Sequence, residues 1–133
     1  MGTKAYSCLL FLILFAVKLF AQQPEFVFPV GQTGPVQTAK FSHKGKFVLT
    51  ISDDNSAKIW ETKSGKLLHT LTGHLAGIVN SDIRFDDSLI LTGSQDNKVL
   101  IWNAITGEYK MELNHLAEIT TCLFSPDGKR ILT

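Results

Sequence analysis

The chain has 133 residues, of which 44% are hydrophobic and 19% are charged, and its formal net charge is +1. This balance is that of an ordinary globular protein, and it excludes a disordered or collagen-like chain. With so little net charge, the chain has no electrostatic reason to favour nucleic acid or anionic lipid.

Residues 1–21 have the pattern of a secretory signal peptide. Lys4 supplies the positive start, Leu9 to Val17 are an unbroken apolar run of nine residues, and Ala21 is a small residue at the end. The run is too short to span a bilayer, which needs about 20 residues. We therefore expect a cleaved signal, no stable membrane span after cleavage, and a secreted or periplasmic protein. A buried N-terminal helix and a retained membrane anchor are the alternatives.

The rest of the chain repeats itself. Three dipeptides, Gly31-Gln32, Gly73-His74 and Asn114-His115, have second members that lie 42 and 41 residues apart. After each one the same ladder follows, with an aliphatic residue four positions later, an apolar residue nine later and a threonine eighteen later. The ladder residues are Val36, Phe41 and Thr50, then Ile78, Ile83 and Thr92, then Ile119, Phe124 and Thr133. Such a period indicates a repeat architecture.

Each repeat predicts strands, because short β-rich runs alternate with turn clusters. Blade one is assigned to Val36–Phe41, Phe47–Ser52, Ala57–Trp60 and Leu67–Leu71, and blade two to Ile78–Phe85, Leu89–Thr92, Val99–Trp102 and Tyr109–Leu113. Either Ile83 or Phe85 is the inward residue. We expect an all-β fold, a β-propeller of four-stranded antiparallel blades, with about two and a half blades present.

The predicted propeller domain spans residues 22–133, in repeats 31–72, 73–113 and 114–133. Closed propellers have about 4 to 8 blades, so we expect an N-terminal fragment of a longer protein. Glu25–Val30 aligns with the outermost strands of the repeats and is expected to complete the last blade. Pro29 favours an edge position, because proline cannot donate to an interior ladder.

These residues resemble the WD-repeat family, whose signature is a Gly-His dipeptide followed by a Trp-Asp dipeptide. The predicted signal makes the chain similar to exported bacterial members. The resemblance implies a hydrogen-bonded tetrad in each repeat. Its residues would be Thr50, Asp54 and Trp60 in repeat one, His74, Thr92, Asp96 and Trp102 in repeat two, and His115 and Thr133 in repeat three. Gln32 replaces the first histidine, so that network is expected to be looser.

The sequence contains no motif for metal binding or catalysis. His43 and His69 fall in a predicted turn and an outer strand, and no HExxH or paired-cysteine spacing is present. Cys122 lies in an apolar strand, where a free cysteine behaves as a small hydrophobic residue. We therefore expect no cofactor, no metal site and no enzyme activity in these repeats.

The remaining candidate for function is a surface, here called the rim. It consists of the loop before the first strand and the turn after the second strand of each blade. Its candidate binding residues are Asp53, Asn55, Leu75, Gln95, Asn97 and Glu118. They are mixed in charge and size, which fits a protein or peptide partner. We expect a non-catalytic scaffold exported from the cytoplasm. The alternative is the N-terminal targeting propeller of a larger exported enzyme, such as a caspase-like peptidase, with a catalytic domain beyond this sequence.

Overall fold

The fold consists of short β-strands in chain order. A computed structural model of the protein describes residues 34–133. The strands within them are β1 Val36–Phe41, β2 Phe47–Ser52, β3 Ala57–Glu61, β4 Leu67–Leu71, β5 Ile78–Ile83, β6 Leu89–Ser94, β7 Lys98–Asn103, β8 Tyr109–Asn114, β9 Leu123–Phe124 and β10 Ile131–Leu132. The predicted signal (residues 1–21) and the predicted strand Glu25–Val30 lie outside the described residues.

The strands form antiparallel sheets in which each strand pairs with its neighbour in the chain. Blade one has the order β1-β2-β3-β4, blade two has the order β5-β6-β7-β8, and β9 pairs with β10. The predicted all-β class with four-stranded antiparallel blades is therefore confirmed. The strand bounds agree with the sequence prediction to within two residues.

The central strands β6 and β7 bury alternate side chains on opposite faces of blade two. On one face Ile90, Leu100 and Trp102 join the core against blade one, which includes Leu49, Ile51 and Ile59. On the other face Leu91, Val99 and Ile101 pack with Ile119 and Cys122 of the next repeat. Since successive side chains of a strand point to opposite faces, a run such as VLIW contributes to two cores at once.

The inward residue at the end of β5 is Ile83. Its side chain is 4% exposed, whereas Phe85 is 55% exposed and lies beyond the strand. The equivalent residue of blade one, Phe41, is instead 69% exposed. The difference arises because Ile83 belongs to the core between the two blades, and Phe41 does not.

The turns between the first and second strands share a left-handed residue at the same repeat position. Gly45, Asp87 and Gly128 have φ values of 65°, 64° and 66°. Glycine adopts this conformation without strain, whereas aspartate does so at some cost. The buried Asp87 carboxylate accepts hydrogen bonds from the backbone N–H groups of His43 at 2.8 Å and Lys44 at 2.9 Å. Asp87 therefore ties blade two to the matching turn of blade one.

We predict that Asp87→Gly destabilises the protein by about 1–2 kcal/mol, although it removes backbone strain. Two hydrogen bonds to a charged group are lost, and their loss outweighs the relief of about 1 kcal/mol from the left-handed conformation. Urea unfolding of the full-length protein measures the difference. Asp87→Asn tolerates the same backbone conformation and keeps one acceptor oxygen, so it should lose less. A more stable Asp87→Gly variant would contradict the role of Asp87 as a clamp.

Candidate functional site

The candidate tetrad of repeat two lies in one hydrogen-bonded chain. The Trp102 indole N–H donates to Thr92 Oγ1 at 2.9 Å, and His74 Nε2 lies 2.8 Å from the same oxygen. His74 Nδ1 lies 2.9 Å from Asp96 Oδ2. The indole can only donate and the carboxylate can only accept, so in a neutral His74 ring Nδ1–H donates to Asp96 and Nε2 accepts the Thr92 hydroxyl. This chain links β6, β7 and the loop before β5.

The Asp96 carboxylate also fixes two backbone segments of the rim. It accepts the N–H of Leu75 at 2.9 Å on one oxygen and the N–H of Lys98 at 3.1 Å on the other. Burial raises the pKa of Asp96, but the Leu75 N–H, the His74 ring and the Lys98 N–H together lower that pKa below its ordinary value. The ionised carboxylate of Asp96 is therefore the form that holds the loop before β5.

The tryptophan of each blade follows the same strand irregularity and donates to a threonine of its own repeat. The strand register shifts by one residue between Ile59 and Trp60 in blade one, and between Ile101 and Trp102 in blade two. Trp60 Nε1–H donates to Thr50 Oγ1 at 2.8 Å, which matches the bond in repeat two. An irregularity of this kind redirects a side chain relative to a regular strand. The two indoles are 3% exposed.

The hydrogen-bond network around Asp54 in repeat one differs from the network around Asp96 in repeat two. Asp54 accepts the backbone N–H of Ser56 at 3.1 Å and pairs with the Lys58 ammonium at 3.3 Å. Lys58 occupies the position that Leu100 has in repeat two, and it is 5% exposed. Gln32, expected to replace the histidine here, lies outside the described residues. Lys58 was not among the predicted site residues, although a lysine inside the apolar run AKIW was a signal for it.

The structure does not join the candidate residues of repeat three by a hydrogen bond. The backbone N–H of His115 donates to the Asn97 carbonyl at 2.9 Å. Its Nε2 atom is buried and has no hydrogen-bond partner among the described residues. His115 and Thr133 line the same open cavity of about 460 Å³.

The rim loops lie against the rim turns in both blades. Asp53 N–H donates to the Pro35 carbonyl at 3.2 Å, and Gln95 N–H donates to the Gly77 carbonyl at 3.1 Å. Asp53, Leu75, Gln95 and Glu118 are exposed. Asn55 and Asn97 are half-buried with φ values of 60° and 67°. Asparagine tolerates this left-handed conformation, so both residues have a structural reason to occupy the turn.

Two leucines project from the rim at equivalent repeat positions. Leu75 and Leu116 each follow the histidine of their repeat, and they are 83% and 105% exposed. Leu116 was not among the predicted binding residues. Its place directly after Asn114-His115, matching Leu75 after Gly73-His74, was the signal that could have found it. Adjacent repeats therefore present the same apolar side chain at the same position of the rim.

The described residues offer no arrangement suited to metal or thiol chemistry. No group of three or more His, Cys, Asp and Glu side chains in residues 34–133 could hold a metal ion. Burial, with the nearby Asp82 carboxylate, raises the pKa of Cys122 to about 12. A thiol with that pKa is not a nucleophile near neutral pH. In the same part of the chain, no helix has the length and hydropathy needed to cross a membrane.

A family model described as WD domain, G-beta repeat matches residues 22–61 and 65–103. The chain is 32% identical over 103 residues to eukaryotic translation initiation factor 3 subunit I of Debaryomyces hansenii, which covers 77% of this chain and 30% of that protein. It is 34% identical over 114 residues to the COMPASS component SWD3 of Saccharomyces cerevisiae, and this match covers 77% of the present chain and 36% of SWD3. A bromodomain and WD repeat-containing protein of Dictyostelium discoideum is 40% identical over 79 residues, and this match covers 59% of the present chain and 4% of that protein.

The β-propeller domain of Cps50 (Swd1) from Myceliophteria thermophila has a similar fold. The TM-score is 0.66 at 22% sequence identity, and the match covers 72% of this chain and 31% of that one. This likeness confirms the predicted β-propeller. The chain spans about a third of the length of the propeller and of the two yeast relatives.

The relatives correct one prediction and confirm another. A secreted or periplasmic location is wrong, because a eukaryotic translation initiation factor and a COMPASS component are intracellular proteins. The comparisons support neither a bacterial-type exported protein nor the exported peptidase. The relatives are WD-repeat subunits rather than enzymes, which confirms the expectation that the repeats themselves are not an enzyme.

We predict that Trp102→Ala destabilises the protein by about 3–5 kcal/mol, because it removes a large buried aromatic side chain. Trp102 also contacts Tyr109 edge to face, with ring centroids 5.9 Å apart. Trp102→Phe keeps a ring but leaves Thr92 without the indole donor, so it should cost about 1–3 kcal/mol. Urea unfolding of the full-length protein ranks the variants. A Trp102→Phe variant as stable as wild type would show that the hydrogen bond contributes nothing.

The lowered pKa of Asp96 predicts a stability contribution that depends on pH. A carboxyl group whose folded pKa is depressed stabilises the protein above its unfolded pKa of about 3.9, and that contribution is lost as pH falls through the folded pKa. The difference in unfolding free energy between wild type and Asp96→Asn should therefore narrow with acidification. Asp53→Asn, the same change at an exposed rim position, is the control. A constant difference from neutral to acid pH would contradict the prediction.

Proposed function

The chain belongs to the WD40 repeat family, and from that premise we propose that its repeats bind a protein partner through the rim. The proposed role is that of a non-catalytic scaffold within an intracellular multiprotein complex. Among the relatives are a subunit of a translation initiation factor and a COMPASS component. The nearly neutral charge of +1 supports a protein partner rather than nucleic acid.

The observation that carries this proposal is the pair of leucines on the rim. Leu75 and Leu116 are almost fully exposed. Leucine is among the side chains that proteins most often bury, and its burial at an interface is worth about 1.5–3 kcal/mol. The two leucines place an apolar side chain at equivalent rim positions of adjacent repeats. A partner that covers both removes this area from water.

The loop that carries Leu75 is already fixed before any partner binds. Its backbone N–H is held by the Asp96 carboxylate at 2.9 Å, and Asp96 is held in turn by His74. A surface that is ordered in advance loses little conformational entropy on association. The tetrad therefore supports binding without touching the partner. Polar Gln95, whose backbone lies against Gly77, extends the same surface.

We predict that Leu75→Asp and Leu116→Asp each weaken partner binding by about tenfold or more, since each places a charge in an apolar contact. The unfolding free energy should change by no more than about 0.5 kcal/mol, as is usual for exposed positions. The measurement is quantitative recovery of the partners that co-purify with the wild-type full-length protein. Gln95→Lys should also reduce recovery.

The matched control is Met111→Asp, which adds the same charge at an exposed apolar residue of the outer strand β8. It should leave the recovered set of partners unchanged. If Met111→Asp removes the partners while both leucine variants retain them, binding occurs at the outer strands and the rim proposal is wrong.

A further inference from the structure

Charged side chains are divided unequally between the two ends of the blades. The rim loops and turns of the described residues carry the carboxylates Asp53, Asp54, Asp96 and Glu118, and no lysine or arginine. The turns at the opposite end, here called the base, connect the first strand to the second and the third to the fourth. Basic side chains of the base are Lys44, Lys46, Lys63, Lys66, Arg84, Lys129 and Arg130. Its carboxylates are Asp86, Asp87, Glu108 and Asp127.

Four of these lysines belong to blade one. Lys44 and Lys46 lie in the turn between β1 and β2, and Lys63 and Lys66 lie between β3 and β4. The two turns are neighbours, because the Thr62 N–H donates to the Lys46 carbonyl at 3.1 Å. All four side chains are exposed. Turns held together in this way keep the four charges on one surface.

Among residues 34–133 the carboxylates nearest to the four lysines are Glu61, Asp86 and Asp87, and none of them forms an ion pair with these lysines. Glu61, at the end of β3, accepts the Ser64 hydroxyl. Asp86 is occupied by Arg84, at 2.7 Å, and Asp87 is occupied by backbone N–H groups of blade one. The ion pairs found in the described residues include none of the four lysines. The Lys44 ammonium contacts only a carbonyl, that of Asp86 at 3.1 Å. The four charges are thus available to a partner.

The base also carries an exposed aromatic residue on blade two, Phe85, whose ring lies close to Gly128 in the turn of repeat three. Phe85 is 55% exposed and directly precedes Asp86, whose carbonyl accepts the Lys44 ammonium. The Asp87 hydrogen bonds hold this segment of blade two against the blade-one turn. The base therefore presents the cations of blade one and an exposed aromatic side chain on the neighbouring blade two.

We propose that the base of blade one is a second docking surface, which binds an acidic, partly apolar segment of a protein partner. The four lysines complement a short run of carboxylates, and Phe85, on the neighbouring blade, complements an apolar side chain further along the same segment. The lysines are confined to two turns of a single blade, which suits a short peptide better than an extended phosphate backbone. This surface is separate from the rim, so the two sites can hold different partners.

The experiment measures binding of a short fluorescent peptide of glutamate and leucine to the full-length protein at low salt. Lys63→Glu should weaken binding about fivefold, and Lys46→Glu combined with Lys63→Glu about tenfold or more, since attraction is replaced by repulsion. Added salt should also weaken the binding of the peptide to the wild-type protein, because it screens the attraction between the charges. Unchanged melting temperatures establish that the variants are folded.

Lys110→Glu is the matched control, because it makes the same charge change at an exposed residue of β8. It should bind the peptide as wild type does. Leu75→Asp should also leave peptide binding unchanged, which separates this surface from the rim. Equal weakening by Lys110→Glu, no measurable peptide binding, or tighter binding of random-sequence double-stranded DNA at the same salt would each overturn the proposal.

Discussion

A blade of four short strands has two faces, and the fold depends on burying both of them. In blade two the strands β6 and β7 send alternate side chains into two separate cores, one shared with blade one and one shared with the next repeat. Neither core can be completed by one blade alone. Stability therefore depends on the contact between neighbours, as in other repeat proteins. The exposed Phe41 marks the face of blade one that does not share in this core.

The buried polar network links this packing to the surface. Thr92 and Trp102 lie within the blade, whereas Asp96 lies at its rim, and His74 connects them. A buried carboxylate is tolerated because several N–H groups satisfy it. The same hydrogen bonds hold the backbone of Leu75. The backbone of Leu75, whose side chain projects into solvent, is thus positioned by a hydrogen-bond network that begins in the core.

The sequence predicted the parts of the structure that repeat. The period of about 42 residues and the alternation within KVLIW specified the strands, their order and the buried tryptophans, because these are local patterns. It could not predict the Asp87 clamp, because the clamp depends on which distant segments meet in space. Lys58 is only four residues from Asp54, and it was missed because its apolar neighbours drew attention to the strand pattern alone. The location was inferred from residues 1–21 alone, and the relatives of the repeats overturned it. Leu116 was overlooked although it occupies the same repeat position as Leu75, which was predicted.

The pairing of each strand with its neighbour in the chain affects how the protein folds. Such pairing needs only short loops to close, so little chain entropy is lost before the first contacts form. During synthesis, the hairpins of blade one can form before β5 has left the ribosome. The contacts of Asp87 with His43 and Lys44 span more than forty residues, so they come later. The clamp therefore acts after assembly, and its loss should speed unfolding more than it slows folding.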